Sequence, residues 1–259
     1  MTLPISVFII AKNEEDRIHY AINSVRDWVD EVIVIDSGST DNTVKVAKKL
    51  KAKVVFNVWK GYGQQKIFGE ELCKNQWLLN IDADEEISSQ LAAEIKKLFA
   101  HGQPKCDAYY VNIKLMTIHS NRASFFAPTT DAIRLYNSNI AGFRESTVHD
   151  SVILRNPNKG RIGHLRSPVY HRCFRSLTHA VEKINSYTSM QAADMRARKI
   201  LPSGFRIVFE PLIAFCKAYF LRRYCLYGID GFVESIVYAF SRTLRLAKTR
   251  ELAAKEKTK

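Results

Sequence analysis

The 259-residue chain has no Gly-x-Gly-x-x-Gly opening a helix after its first strand pattern, and no Walker phosphate loop. Dinucleotide oxidoreductases and P-loop enzymes are therefore disfavoured. The five cysteines (Cys73, Cys106, Cys173, Cys216, Cys225) are odd in number and form no Cys-x-x-Cys or Cys/His cluster. They carry no metal-site spacing and read as reduced thiols of a cytoplasmic protein. No uninterrupted apolar stretch is long enough to span a bilayer. Thr2-Leu3-Pro4 runs straight into a strand pattern, with no room for a signal peptide, so an integral membrane protein is not expected. The first 150 residues also lack a charge surplus, with 18 basic against 19 acidic residues. Residues 151–259 hold 21 basic against 7 acidic, so the whole excess of +13 lies there and an anionic partner is expected for that part.

What is present is an ordinary globular balance, 46% apolar and 25% charged, long enough for one α/β domain with an extension or for two small domains. Ile5–Ala11, Glu31–Ile35, Lys53–Phe56 and Trp77–Asn80 read as strands. Helical spacing follows each of them, through Ile18, Ala21, Ile22 and Val25, then Val44, Val46, Ala47 and Leu50. Gly61-Tyr62-Gly63 reads as a turn before a helix from Gln64 to Lys74, and Ser88–Phe99 as a further helix. This alternation through residue 99 predicts a doubly wound, mostly parallel sheet. Beyond residue 100 it breaks down: Ala108–Leu115 and Asp131–Tyr136 read as strands, and 117–130 as a loop.

Polar residues gather where strands end: Asn13 with Glu15, Asp36 with Asp41, and Asp82 with Asp84. Open α/β sheets place ligands on that rim. Asp82 and Asp84 are two apart, so in extended geometry they point the same way and repel unless a cation or donor-rich ligand lies between them. Oxygen ligands of this kind suit Mg²⁺ or Mn²⁺ with a phosphate. The plain alternative is a solvated acidic turn with Ser88 as the next helix's N-cap, but three acidic clusters on one rim are harder to explain that way. In the last quarter, Phe205–Arg223 and Phe232–Leu246 are broadly apolar with basic edges, resembling interfacial helices on an anionic membrane. Two helices packed on the domain core would look similar. The tail Thr249–Lys259 is expected to fray.

Ile9-Ile10-Ala11-Lys12-Asn13-Glu14-Glu15, Asp36-Ser37-Gly38-Ser39-Thr40-Asp41 and Asp82-Ala83-Asp84 together resemble the motifs of family 2 glycosyltransferases. Thr130-Asp131-Ala132-Ile133-Arg134-Leu135-Tyr136, Val148-His149-Asp150 and the basic, apolar C-terminus resemble the bacterial branch that adds glucose to the lipopolysaccharide inner core. Three positions depart from that branch's pattern: Thr130 for Pro, Tyr136 for Phe and Asp150 for Glu.

The resemblance implies a GT-A-type (Rossmann-like) mixed sheet flanked by helices at 1–200, and a helical, basic, membrane-associating extension at 201–259. It implies an inverting, metal-dependent hexosyltransferase, with UDP-glucose as donor and a lipid-linked glycan as acceptor. The enzyme would be cytoplasmic and peripheral on the inner face of the membrane, with no nucleic acid as partner. Asp84 and Asp82 would hold Mg²⁺ or Mn²⁺, and Asp150, then Asp131, would supply the base. Donor contacts would come from Ala11, Asn13, Glu15, Asp36, Ser37, Gly38, Asp41, Gln65, Lys66, Asp82, Arg134 and His149. A sugar-phosphate nucleotidyltransferase is one rival, but Lys12-Asn13-Glu14-Glu15 is the wrong chemistry for its phosphate loop. A non-catalytic basic module binding RNA or anionic lipid is the other, and it leaves the acidic rim unexplained.

Overall fold

A computed structural model describes residues 2–117, 129–144, 151–156 and 158–257. The chain divides into two compact units, Met1–Lys114 with Thr129–His171, and Leu115–Pro128 with Arg172–Lys259. In the first unit the elements run β1 (Leu3–Ala11), α1 (Ile18–Val25), β2 (Val29–Asp36), α2 (Thr43–Lys49), β3 (Lys53–Phe56), α3 (Tyr62–Glu71) and β4 (Trp77–Asn80). They continue with β5 (Glu85–Ile87), α4 (Ser89–Phe99), β6 (Ala108–Leu115), β7 (Thr129–Asn137), β8 (Ala141–Phe143), β9 (Val152–Leu154) and β10 (Ile162–His171). Eight strands form one mixed sheet in the order β3-β2-β1-β4-β7-β6-β10-β5, and β8 pairs with β9. A mixed sheet flanked by helices, followed by a helical C-terminal region, is the GT-A-type architecture expected from the sequence.

β1 is central because both its neighbours are parallel and both its faces are covered. Ile5, Val7 and Ile9 pack with Ile18, Ile22 and Val25 of α1 and Leu91 and Ile95 of α4. Phe8 points the opposite way, into a cluster with Ile33, Ile35, Leu78, Tyr136 and Phe143. Ser88 caps α4 by accepting from the Leu91 N–H, 3.1 Å away.

Helix α3 starts two residues earlier than the glycine pair implied, because Gly61 at φ 134° makes the break by itself and Gly63 lies buried within the helix. It ends at Glu71, and the Lys74 N–H turns to the Glu31 carboxylate. Gly69 brings α3 onto the sheet, since a Cβ there would lie 2.6 Å from the Phe8 ring. Gly69→Ala is therefore expected to cost about 1–3 kcal/mol of stability as overpacking, despite the higher helix propensity of alanine. Urea denaturation measures it, and an unchanged midpoint would show that α3 can lift off freely.

The second unit holds α5 (Leu177–Ala197), α6 (Gly204–Cys216), a π-type turn at Lys217–Leu221, a 3₁₀ turn at Tyr224–Tyr227 and α7 (Gly228–Lys257). The tail does not fray at Thr249: α7 continues to Lys257, with Thr249 buried and Arg196 of α5 paired to Glu256 at 2.5 Å. Lys248 ties α7 to α5 by donating to the Asn185 carbonyl and to the Thr188 and Ser189 hydroxyls.

Candidate active site

The first two polar clusters build the rim together. The Ala11 carbonyl accepts from the Ser37 N–H at 2.9 Å, in register with the parallel pair Ala11–Asp36. Asn13 sits in the left-handed region (φ 57°), which asparagine tolerates, and its Oδ1 accepts from the Thr40 N–H at 2.8 Å. The Asn13 N–H in turn donates to Ser39 Oγ. The Glu15 carboxylate accepts from the Asn42 N–H (2.7 Å), and the Asp41 carboxylate accepts from the Glu15 and Thr43 N–H groups. Asp36 is buried and folds its carboxylate over its own turn, accepting from the Gly38 and Ser39 N–H groups at 3.0 and 3.1 Å. Gln65, buried on α3, donates to Ser37 Oγ at 2.9 Å. Two of the three acidic clusters are thus the stitching between the loops after β1 and β2.

The third cluster differs, because every carboxylate in it faces a cation from another element. Asp82 lies 2.9 Å from Lys66 Nζ of α3 and 3.2 Å from Arg134 Nη2 of β7. Burial raises its pKa, but those two charges outweigh burial and hold the carboxyl well below the usual range. Arg134, itself buried, also donates to Asn80 Oδ1 (2.8 Å) and pairs with Glu85 (2.5 Å). Glu85 is almost wholly buried, and burial pushes its pKa up against the pull of Arg134. Asp84 takes separate partners: His171 Nε2 at 3.2 Å and Arg17 Nη1 at 3.7 Å. Burial opposes ionisation of both Asp84 and His171, yet their mutual hydrogen bond lowers the first and raises the second. The repulsion expected between Asp82 and Asp84 is therefore met by the chain's own cations. The two residues lie in a turn after β4 rather than on an extended strand end.

Three of these groups carried no signal in the sequence. His171 closes β10 and reaches the site because β10 pairs antiparallel with β5, placing His171 opposite Glu85. Arg17 is held over the site by Glu14 at 2.5 Å. Glu85 follows Asp84 directly in the chain, where nothing local marks it as a buried partner for Arg134.

Asp131 of β7 is exposed, accepts from Asn112 Nδ2 at 3.2 Å, and lines a cleft of about 380 Å³ with Asp82, Tyr110, Arg134 and Phe143. His149 and Asp150 lie outside the described residues. Among the described residues no group of three or more His, Cys, Asp or Glu side chains could hold a metal ion. Asp84 and His171 do converge as a carboxylate and an imidazole. The carboxylate suits Mn²⁺ or Mg²⁺, which keep other positions for water or a substrate phosphate, and the imidazole would join it, on Mn²⁺ rather than Mg²⁺, once Nε2 has lost its proton.

The family model for Glycosyl transferase family 2 matches residues 6–153. An uncharacterized glycosyltransferase of Rickettsia typhi (strain ATCC VR-144 / Wilmington) is 47% identical over 259 residues, covering 98% of this chain and 89% of its own. The lipopolysaccharide core biosynthesis glycosyltransferase LpsC of Rhizobium meliloti (strain 1021) is 27% identical, covering 98% and 95%. Among solved structures, S. aureus TarS 1-349 in complex with UDP-GlcNAc is similar over 100% of this chain and 92% of its own, at 14% identity and a TM-score of 0.49. Glucosyl-3-phosphoglycerate synthase from Mycobacterium tuberculosis, in complex with Mn²⁺, UDP and glucosyl-3-phosphoglycerate, is similar over 43% of each chain at 27% identity and a TM-score of 0.36.

Proposed function

The chain belongs to glycosyl transferase family 2, and on that premise we propose that it transfers a hexose, with inversion and with a divalent metal, from a UDP-sugar to a lipid-linked glycan. The donor in this reading is UDP-glucose and the acceptor a glycan such as the lipopolysaccharide inner core, assembled at the inner face of the cytoplasmic membrane. The LpsC likeness supports the acceptor class. The observation that carries the reading is the Asp82–Asp84–Glu85 cluster, facing Lys66, Arg134 and His171 and opening on the cleft that holds Asp131.

Roles follow from chemistry. The metal, held by Asp84 and His171, would supply positive charge to the departing diphosphate. Lys66 and Arg134 keep Asp82 ionised, ready to accept from a donor hydroxyl or to join the metal's ligands. The lip formed by Ala11, Asn13, Asp36, Ser37 and Gly38 is the seat for the base and ribose. A carboxylate opposite the leaving group takes the acceptor hydroxyl's proton as that oxygen bonds to the anomeric carbon and UDP departs with the bonding pair. Asp131 is the candidate within the described cleft, and Asp150 is the other.

Calorimetric titration with UDP tests the donor reading: affinity is expected to rise at least about tenfold when Mn²⁺ or Mg²⁺ is added. Absence of UDP binding under both conditions would overturn it. For the base, Asp131→Asn is expected to lower transfer by about 10²–10⁴-fold while UDP-sugar affinity stays within a few-fold. Loss of turnover in Asp150→Asn, with Asp131→Asn active, would move the role to Asp150.

A further inference from the structure

Helix α6 is amphipathic the wrong way round. Its large apolar side chains Phe205, Val208, Phe209, Leu212 and Ile213 recur at helical spacing, and all of them are exposed. The residues it buries are Glu210 and Ala214. Helices α6 and α7 run antiparallel, since Glu210 pairs with Arg242 while Phe215, farther along α6, packs on Phe232, earlier on α7. Between them the chain makes a tight elbow, with Arg223 and Gly228 both at φ 59°. Gly231 lets α7 close against the elbow, since a Cβ there would lie 1.8 Å from the Tyr224 carbonyl oxygen. The elbow's outer surface carries Phe220, Leu221, Leu226 and Ile229, exposed by 61%, 79%, 60% and 73%. So many large apolar side chains exposed on one helix and its elbow mark a surface that something covers.

Charge identifies the occupant. Between Ser203 and Leu246 there are six basic residues against three acidic ones. Arg206 and Arg242 share one carboxylate, Glu210, at 3.8 and 3.0 Å. Arg245 stands close enough for both to push its pKa down, after burial, which is the larger cause. Its Nε is buried without a hydrogen-bond partner. Three guanidiniums around one carboxylate leave positive charge that an anion would balance. A second copy of the chain would bring the same surplus to the face and be repelled by it.

We propose that the α6–α7 elbow and the outer face of α6 insert into the surface of an anionic lipid bilayer, and that Arg206, Arg242 and Arg245 seat a lipid headgroup phosphate. This deepens the membrane part of the functional reading above by naming the surface and the ligand. Basic residues near an anionic surface each strengthen attachment, and the exposed apolar side chains add burial among the acyl chains.

The test is sedimentation of the full chain with vesicles, without donor or acceptor, so its failure leaves the sugar-transfer reading intact. Vesicles of phosphatidylcholine with phosphatidylglycerol are expected to bind the chain about 100-fold more tightly than phosphatidylcholine alone, and less tightly at high salt. The variant R206Q/R242Q/R245Q should lose that preference while keeping weak binding to both. The variant F220S/L221S/I229S, altered only at exposed positions, should bind neither and melt at the wild-type temperature. Tryptophan placed by Leu221→Trp should shift its emission to the blue on adding the mixed vesicles, a readout independent of the multiple variants. No shift, or equal binding to both vesicle types, would overturn the proposal. Release by inorganic phosphate at matched ionic strength would assign the arginines to a soluble phosphate instead. Dimerisation that hides the face without lipid would assign it to a second copy.

Discussion

Asp84→Asn is expected to lower sugar transfer at least about a hundredfold, comparable to the loss of one strong transition-state charge contact. The substitution keeps the shape and one oxygen acceptor for His171, so the fold should survive with a loss of about 1.5–3 kcal/mol, the worth of a hydrogen bond to a charged group. What it removes is the anionic half of the Asp84–His171 pair, the two groups that would hold the metal. His171→Gln, which leaves the carboxylate in place, should fall less and should require more added metal for half-maximal rate. The native enzyme should lose activity in excess EDTA and regain it with Mn²⁺. Near wild-type transfer by Asp84→Asn, or full activity in EDTA, would remove the metal from the mechanism.

The second large effect belongs to Arg134. One buried guanidinium joins Asn80 at the end of β4, Asp82 in the turn, and Glu85 at the start of β5. Arg134→Leu leaves Asp82 and Glu85 without that charge, and removing one side of a buried ion pair costs about 3–5 kcal/mol. For a chain of this length the melting temperature should fall by roughly 10 °C. Transfer should fall with it, because the turn that carries Asp84 loses its clamp. Arg134→Lys should recover only part of the stability, since one ammonium cannot fork across three acceptors. Adding Glu85→Gln to Arg134→Leu should restore some of the loss, because the uncompensated carboxylate is then gone. An unchanged melting temperature in Arg134→Leu would show that the turn does not depend on the clamp.

Local chemistry made the first half of the fold legible. Strands such as Ile5–Ala11 are β-branched and apolar throughout because both faces of the sheet are covered, and the helices between them show their buried stripe at 3.6-residue spacing. Ser88 announced its helix because an N-cap is a property of one residue and its next three. Helix α3 and the tail end elsewhere than their local pattern implies, for the opposite reason. A buried Gly63 inside a helix and an Arg196–Glu256 pair across two helices depend on neighbours distant in sequence.

The sequence by itself determined that the chain alternates strand and helix, that carboxylates collect where β1, β2 and β4 end, and that positive charge collects after residue 150. Each of these follows from local periodicity or from composition. Only the tertiary structure decided what the carboxylates face. Glu15 and Asp41 accept hydrogen bonds between adjacent loops and Asp36 accepts within its own turn, whereas Asp82, Asp84 and Glu85 meet Lys66, Arg17, Arg134 and His171. It also decided which way α6 turns its apolar stripe, since spacing sets the width of such a stripe but not whether it meets a neighbour or solvent. The physical reason is common to both: charge pairing and burial are settled between elements far apart in sequence, by strand register and helix packing that no local pattern encodes.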